Sequence, residues 1–258
     1  MPYPARFYAA LHRGTPGDQP HYQRLCDTAT SVLELGCGYG RMLTALAAAD
    51  RTIVGVEYEP DLLAMAEAAV DRLPPPLRAG VSLVQGDMRD VSLDRVFDRV
   101  LLPFGGLYCL LSDADLDATL ANVVRHLAPG GRVGLDVYRA DAFHAEAEPD
   151  DVPDDAHTPL TRVEVDGQPF EVLERSHWDK PAQRIDASYL YVGEDGASVE
   201  GTIAQRYLLE PQLRAAFGRA GLAIVDIRDR FGDPAPDERD GDDDAMMIVE
   251  ARRDEVGG

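Results

Sequence analysis

The feature that most constrains the fold is a short apolar stretch, residues 32–35, that leads directly into three glycines at alternate positions. These are Gly36, Gly38 and Gly40, and a helix-forming segment follows from residue 42 to residue 49. A short apolar run that ends at glycines indicates a buried strand, and the pattern after it indicates a tight turn and a helix N-terminus. Glycine is favoured where the backbone takes positive φ or approaches a ligand, because it has no Cβ. The sequence therefore predicts an α/β fold whose ligand crevice is bordered by this turn.

The spacing of the glycines distinguishes two kinds of nucleotide-binding turn. Dinucleotide-binding enzymes use G-x-G-x-x-G, whereas here Glu34 precedes three alternating glycines, which argues against a NAD-dependent dehydrogenase. The stretch E-L-G-C-G-Y-G-R resembles the first motif of the class I S-adenosylmethionine (SAM)-dependent methyltransferases. The resemblance implies that the glycines lie beneath the amino-acid and ribose end of SAM, with Glu34 and Arg41 among the cofactor contacts. A tight turn without any ligand is the alternative interpretation.

A carboxylate follows the second predicted strand, residues 52–56. Glu57 lies about 20 positions after the first glycine, where an acidic side chain can accept hydrogen bonds from two neighbouring ribose hydroxyls. The run E-Y-E-P-D resembles the second motif of the family, which implies that Glu57 binds the ribose and that Tyr58 lies beside the adenine. An ordinary charged residue at a strand end is the alternative. Asp61 is predicted to cap a helix over residues 62–72.

The third predicted strand, residues 81–85, is followed by the sequence G-D-M. This sequence resembles the third motif of the family. The resemblance implies that Asp87 accepts a hydrogen bond from the adenine amino group and that Met88 packs on the adenine ring.

The loop after the fourth predicted strand, residues 97–102, begins L-P-F-G-G when the last strand residue is included. In the family this loop lies beside the transferred methyl group, so the resemblance implies cofactor contacts for Pro103 and Phe104. The rings of Phe104 and Tyr108 are predicted to attract a sulfonium or ammonium group, an interaction of about 1–2 kcal/mol when desolvated. Enzymes that methylate DNA amines carry N/D-P-P-Y/F at this place, and the departure argues against a nucleobase acceptor.

The remaining core elements follow the same order as in the family. A helix is predicted over residues 113–127, L-A-P-G-G ends it, and a fifth strand covers residues 132–137. His126 on this helix is predicted to be solvated. A last helix over 209–221 and strands over 222–228 and 246–251 complete the pattern. The resemblance implies a seven-stranded class I methyltransferase sheet with six parallel strands and one reversed strand.

Between the fifth strand and the last helix the pattern changes. Residues 145–159 are predicted to form an acidic loop, and four stretches of alternating apolar residues, at 161–165, 170–178, 184–192 and 202–208, predict an inserted antiparallel sheet. In small-molecule methyltransferases such a sheet covers the substrate or forms a dimer interface. The predicted segments are an N-terminal helical lid (1–30), a SAM-binding Rossmann-like core (31–140), the acidic loop and β insertion (141–208), and the last helix with a C-terminal β-hairpin (209–258).

Methyl transfer from SAM depends mainly on aligning the acceptor with the methyl carbon. A base is needed only if the acceptor must first lose a proton. The side chains predicted to contact the acceptor or to take its proton are Tyr8, His12, Tyr108, Tyr138, His144 and His177. The predicted cofactor contacts are Tyr8, Glu34, Gly36, Gly38, Gly40, Arg41, Glu57, Tyr58, Asp87, Met88, Pro103 and Phe104. For Tyr8, simple packing of the first helix onto the core is an equal alternative.

Charge and hydropathy limit the partners. The formal charge of −21 opposes contact with phosphate backbones and anionic membranes, so neither a nucleic acid nor a membrane is expected as a partner. A neutral or cationic small-molecule acceptor is favoured by the same field. No apolar run approaches the roughly 18 residues of a membrane span. The first residues also lack the layout of a signal peptide, so the expected location is the cytoplasm.

No metal site is predicted. Cys26, Cys37 and Cys109 are widely spaced and are expected to be reduced thiols. The aspartate-rich segment, residues 233–244, does not fit a calcium-binding loop, because alignment on its only glycine places Pro236 at the first ligand position and Met247 at the last.

The expected cofactor is SAM, and the expected product is S-adenosylhomocysteine. The preferred function is N-methylation, or otherwise O-methylation, of a small metabolite such as an amino sugar or a natural product, with a homodimer as the candidate assembly. Two other functions are left open. An aminopropyl transferase of the same fold would carry further acidic residues after the fourth strand, and a non-catalytic SAM-binding protein often lacks the glycines or ribose carboxylate that this chain retains.

Overall fold

The computed structural model describes residues 3–146, 156–232 and 245–254. These residues form two compact units. The core unit comprises residues 14–107, 112–139, 209–232 and 245–254, and the insertion unit comprises residues 3–13, 108–111, 140–146 and 156–208. The first helix therefore belongs with the inserted sheet, whereas the second helix belongs with the core.

The strands and helices of the described residues are numbered along the chain. The strands are β1 (Ser31–Leu35), β2 (Thr52–Glu57), β3 (Val81–Gln85), β4 (Phe97–Leu102), β5 (Leu127–Tyr138), β6 (Thr158–Val165), β7 (Gln168–Asp179), β8 (Arg184–Gly193), β9 (Ser198–Arg206), β10 (Leu222–Arg228) and β11 (Met246–Arg253). The helices are α1 (Ala5–Leu11), α2 (Asp18–Leu25), α3 (Arg41–Leu46), α4 (Pro60–Asp71), α5 (Pro75–Arg78), α6 (Asp113–His126), α7 (Asp141–Glu146) and α8 (Glu210–Arg219), with a 3-10 turn at Gly106–Cys109.

Seven strands of the core unit form one sheet in the order β10-β11-β5-β4-β1-β2-β3. β11 runs antiparallel to both of its neighbours, and the other pairs are parallel. The central strands are nearly continuous apolar runs because helices cover both faces of such a sheet. The prediction of a seven-stranded sheet with one reversed strand is confirmed.

The strand order places the glycine turn at the point where the chain changes direction across the sheet. From β1 the chain proceeds to β2 and β3 on one side, and then to β4 and β5 on the other. Ligands of open α/β sheets bind at the carboxyl ends of the strands at such a switch point. The turn after β1 therefore borders the expected crevice.

The insertion unit contains the second sheet, which is antiparallel in the order β6-β7-β8-β9. Asp166 and Gly167 join β6 to β7, and both have positive φ (52° and 76°), as a two-residue hairpin turn of the primed type requires. The apolar face of the sheet packs against α1 through a cluster of Phe7, Val163, Val165, Val172 and Tyr191. The prediction of an inserted antiparallel sheet is confirmed.

Two predictions at the end of α6 were wrong. His126 is buried rather than solvated: its Nδ1 lies 2.9 Å from the carbonyl oxygen of Asn122, and the N–H of Leu93 donates to its Nε2 over 3.2 Å. His126 lies three residues after the buried Val123, on the same helix face, and its two ring nitrogens satisfy neighbouring backbone groups. The fifth strand also starts earlier than predicted, at Leu127, so residues 128–131 belong to β5.

Other differences concern helix ends. Asp61 does not cap α4, because this helix begins at Pro60, a residue suited to the first helical position, and Glu59 precedes it without a side-chain capping bond. Part of the predicted acidic loop is ordered as α7, and β6 begins at Thr158. Residues 147–155 of that loop and the aspartate-rich segment 233–244 lie outside the described residues. Within the described chain, no helix combines the length and the apolar character that a membrane span needs.

Candidate functional site

The three glycines after β1 all adopt left-handed backbone conformations. Their φ angles are 73° at Gly36, 56° at Gly38 and 83° at Gly40. The N–H groups of Gly36 and Cys37 both donate to the carbonyl oxygen of Val56, over 2.9 and 3.0 Å, which ties the turn to the end of β2. Side chains with a Cβ are disfavoured at such angles, and the turn therefore requires glycine for its geometry alone.

The space around Gly40 and Gly38 shows what an added side chain would meet at each position. A Cβ on Gly40 would lie 3.1 Å from the Cα and Cβ of Ala66, so this glycine allows α3 and α4 to pack closely. A Cβ on Gly38 would meet no protein atom within 4 Å. The turn is therefore open at Gly38, where a ligand can approach the backbone.

Glu57 connects the end of β2 with the glycine turn. Its Oε2 accepts a hydrogen bond from the N–H of Gly38 over 2.8 Å, and its Oε1 accepts one from the N–H of Glu59 over 2.9 Å. The residue is buried. A carboxylate has lone pairs for further donors, so this geometry fits the predicted binding of ribose hydroxyls at the turn.

An open groove lies between the end of β2 and the end of β3. Tyr58 stands at this groove with 63% of its surface exposed, an unusually high exposure for a large aromatic side chain. Asp87 lies across from it, and Arg89 binds its carboxylate with Nη2–Oδ2 at 2.5 Å, which holds the pKa of Asp87 below its usual range. The lining residues are Tyr58, Glu59, Pro60, Gln85, Gly86 and Asp87. An exposed ring and an ionised acceptor in one groove fit a purine with an amino group.

Met88 and Glu34 lie behind the turn. The Cε of Met88 would be 3.1 Å from a Cβ on Gly36, so the side chain packs directly on the glycine turn. Glu34 is buried at the end of β1, and desolvation raises its pKa to about 8, with Arg41 lowering it and Glu57 raising it. The Glu34 carboxyl group is therefore mostly protonated at neutral pH, and it contributes little negative charge to the site.

Asp136, at the carboxyl end of β5, holds the loop after β4. Its Oδ1 accepts hydrogen bonds from the hydroxyl of Tyr22 over 2.5 Å and from the N–H of Phe104 over 2.9 Å. Its backbone carbonyl accepts a further bond from Gly105. Phe104 has a positive φ of 56°, a strained conformation for a residue with a side chain. Asp136 therefore fixes the conformation of the loop that was predicted to lie beside the methyl group.

Arg41 and Asp18 form a second fixed element beside this loop. The guanidinium binds the Asp18 carboxylate through two contacts, Nη1–Oδ1 at 3.1 Å and Nη2–Oδ2 at 2.6 Å. It also lies 5.7 Å from the ring centroid of Phe104, the ring that was predicted to attract a cation. A Cβ on Gly14 would lie only 2.3 Å from the Arg41 Cζ, so the segment before α2 is closed around this guanidinium. Neither Asp18, Tyr22 nor Asp136 was identified from the sequence.

The buried carboxyl group of Asp136 should make the stability of the folded protein depend on pH. Desolvation raises its folded-state pKa to about 6, above the ordinary value of 3.8, and its Oδ2 is buried with no hydrogen-bond partner among the described residues. The folded chain binds this proton more tightly than the unfolded chain, so stability from this group is present at acidic pH and is lost as the pH rises through about 6. The Asp136→Asn variant retains an acceptor oxygen but does not titrate. We expect its free energy of unfolding, relative to the original protein, to increase by about 2 kcal/mol between pH 4.5 and pH 7.5 in urea titrations. An equal difference at both pH values would contradict this assignment.

Five of the six predicted acceptor contacts, all except Tyr138, lie in the insertion unit, and two of them, His12 and His144, belong to two separate hydrogen-bonded groups. In the first, Tyr191 donates to the carbonyl of Phe7, Tyr3 lies 2.5 Å from the Tyr191 hydroxyl, and His12 Nε2 lies 3.1 Å from the Tyr3 hydroxyl. This order of donors assigns a proton to His12 Nε2. Burial lowers the pKa of His12 to about 4, so its ring is neutral at pH 7. The ring of Tyr8 packs against His12, with 4.5 Å between the centroids.

The second group includes His144. The indole N–H of Trp178 donates to the Tyr207 hydroxyl over 3.0 Å, which leaves the Tyr207 proton for His144 Nδ1 at 2.8 Å. His177 is exposed on β7. Tyr108 is fully buried and its hydroxyl donates to the carbonyl of Leu208, so its ring does not form an open cation-binding surface. The roles of Tyr8, His12, His144 and His177, and of Tyr138 at the end of β5, stay predictions.

Comparison with known proteins gives a consistent result. Residues 32–131 match the family described as a methyltransferase domain. The chain is 29% identical over 230 residues to dTDP-3-amino-3,6-dideoxy-alpha-D-glucopyranose N,N-dimethyltransferase of Streptomyces fradiae, which covers 85% of this chain and 84% of that protein. Among solved structures, it resembles the CcbJ methyltransferase from Streptomyces caelestis, with a TM-score of 0.76, 21% identity and coverage of 97% and 98% of the two chains. It also resembles a SAM-bound amino pentose methyltransferase from Micromonospora echinaspora, with a TM-score of 0.67, 23% identity and 98% of each chain covered.

Proposed function

Because the chain belongs to the class I SAM-dependent methyltransferases, we propose that it methylates the amino nitrogen of a small, sugar-like metabolite. The predictions of the family, of an enzyme and of SAM as the cofactor are confirmed by the matched domain and by the related proteins. The acceptor and its nitrogen are the proposal.

The extent of the similarity supports an amino-sugar acceptor. The match to the methyltransferase domain ends at residue 131, but the match to the Streptomyces fradiae amino-sugar enzyme extends over most of both chains. The inserted sheet is therefore included in the region that the two proteins share.

The described residues of the core unit offer groups suited to each part of SAM. We assign the ribose hydroxyls to Glu57, the adenine amino group to Asp87 and the face of the adenine ring to Tyr58. Gly38 would allow the cofactor to approach the backbone closely, because a Cβ at this position points into open space. Bound SAM supplies a methyl group on a sulfonium, which is already an activated leaving group.

The reaction then requires the acceptor nitrogen to be aligned with the methyl carbon. SAM, held by Glu57, Asp87 and Tyr58, would supply the methyl carbon to the acceptor nitrogen, and the electron pair of the broken carbon–sulfur bond would stay on sulfur. The nitrogen must present a free electron pair, and it loses one proton to give the neutral methylamine. Correct orientation of the two reactants can contribute roughly 7–11 kcal/mol to the lowering of the barrier. Asp136 supports this alignment by fixing the backbone of Phe104 in the loop after β4.

The assignment of Asp87 to the adenine amino group leads to a testable prediction. The Asp87→Ala variant should bind SAM more weakly by about 1–3 kcal/mol, because the adenine amino group loses its acceptor. Asp115→Ala is a matched control, since Asp115 also binds Arg89, with Nη1–Oδ1 at 2.6 Å, but does not line the groove. Calorimetric titration with SAM measures both. Equal losses in the two variants would show that Arg89, rather than adenine, is what Asp87 serves.

A panel of acceptors tests the proposed substrate. The purified protein is incubated with SAM and pairs of sugar nucleotides that differ only by an amino group or a hydroxyl group at one carbon. We expect mass increases of one or two methyl groups on the amino members only. Methylation of the hydroxyl members would favour the alternative, O-methylation. Transfer to neither class, with SAM binding retained, would overturn the proposed acceptor while leaving the cofactor assignment intact.

A further inference from the structure

The core unit contains a second concavity, of about 580 Å³, whose lining is rich in arginine. It lies on the sheet face covered in part by α2. Arg99 of β4 and Arg132 of β5 are register partners in this sheet, and α2 adds Arg24. The full lining is His21, Arg24, Leu25, Thr28, Arg99, Gly130, Arg132, Arg228 and Glu250. A cavity of this size can accommodate a small metabolite.

This concavity is separate from the cofactor groove. Arg132 lies four residues before Asp136 along β5, which corresponds to a distance of roughly 13 Å along the strand, away from its carboxyl end. None of the residues that line the groove beside Tyr58 lines the concavity. The groove lies at the carboxyl ends of β2 and β3, whereas the concavity is lined by residues of β4, β5, β10 and β11.

The arginines have few carboxylate partners. Arg99 donates to the carbonyls of Leu25 and Asp98 and to the Thr28 hydroxyl, which are all neutral acceptors. Arg24 forms no ion pair with a carboxylate of the described residues. Glu250 is the only acidic residue of the lining, and it pairs with Arg132 at 3.3 Å. Arg228 pairs outside the lining, with Asp226 at 2.7 Å.

Positive charge is therefore concentrated here in a chain whose formal charge is −21. Like charges at paired positions of neighbouring strands destabilise a sheet. An anion between Arg99, Arg132 and Arg24 would remove that repulsion. Guanidinium groups are well suited to binding a phosphate anion, because two of their coplanar N–H groups can donate to two phosphate oxygens at once.

We propose that this concavity binds the phosphate or diphosphate group of a small phosphorylated metabolite, at a site distinct from the SAM site. Gly130 at its edge has a φ of 74°, and a Cβ there would meet no atom within 4 Å, so the rim is open to a ligand. The proposal does not depend on the identity of the methyl acceptor.

Calorimetric titration of the SAM-saturated protein with inorganic phosphate, inorganic diphosphate and uridine diphosphate tests the site. Saturation with SAM prevents the anions from entering the cofactor groove. We expect saturable binding, with diphosphate binding more tightly than phosphate. Tighter binding of uridine diphosphate than of inorganic diphosphate identifies an organic ligand, and equal affinities identify the phosphate groups alone as the recognised feature.

Two substitutions locate the binding. The Arg24→Gln/Arg132→Gln double variant should weaken diphosphate binding at least about tenfold, because each guanidinium supplies a charge-assisted hydrogen bond. It should leave the affinity for SAM unchanged. The control is the Glu67→Gln/Arg72→Gln double variant, which also carries two exposed substitutions but at positions outside the concavity. Arg72→Gln alone controls for the loss of one positive charge. No saturable binding, or an equal loss in the Arg72→Gln protein, would overturn the proposal.

Discussion

Replacing Gly38 by alanine is expected to lower kcat/KM for SAM by about 100-fold, the size of effect that a misplacement of reactants by about 1 Å can produce. The backbone at Gly38 has a φ of 56°, and its N–H donates to Glu57. An added methyl group meets no protein atom, so the variant should fold. The methyl group would instead occupy the space from which SAM approaches the turn. Steady-state kinetics at varied SAM concentration measures the effect.

Gly196 provides the matched control for this experiment. It has a φ of 79° in the turn between β8 and β9, and a Cβ there would also meet nothing within 4 Å. Both substitutions carry the same backbone cost, about 1–2 kcal/mol. The Gly196→Ala variant should therefore lose similar stability and keep its kcat/KM. Similar activity in the two variants would show that no cofactor approaches Gly38.

The parts of the site that depend on local sequence could be predicted. The glycines require positive φ, the acidic residue after β2 follows from the distance along the chain, and the order of the strands follows from the order of the motifs. The turn shows why this succeeds. Gly36, Gly38 and Gly40 are determined by their own backbone angles, and Glu57 reaches back only to the turn that precedes it. These features involve only two consecutive strands, β1 and β2, and the turn that follows β1.

The features that depend on distant contacts could not be predicted. Asp136 binds Tyr22, which is 114 positions away in the chain, and Asp18 binds Arg41 from the start of another helix. In the sequence, Asp136 and Asp18 look like ordinary polar residues at the end of an element. One signal was available for Asp136, because it is the single charged residue in the otherwise apolar end of β5. Its partners could be found only once the sheet was formed.

The Asp18–Arg41 pair leads to the largest expected effect on stability. Asp18 is buried, and only 15% of the Arg41 side chain is exposed. Removing one partner of a buried pair leaves the other charge uncompensated, which costs about 3–5 kcal/mol. The Asp18→Ala variant should therefore unfold at a temperature lower by on the order of 10 °C. Thermal unfolding followed by circular dichroism measures this change.

Asp117→Ala is the control, because Asp117 also pairs with an arginine, Arg219, at 2.8 Å, but about half of each side chain is exposed. Such surface pairs contribute about 0–1 kcal/mol, so this variant should unfold within a few degrees of the original protein. The Asp18→Ala/Arg41→Ala double variant separates the lost pair from the uncompensated charge. If the remaining guanidinium is what destabilises the Asp18→Ala variant, the double variant should lose less stability than the sum of the losses in the two single variants. Additive losses would mean that the two side chains act independently, and Asp18 would then be a local cap of α2 rather than the partner that fixes Arg41 beside the loop after β4.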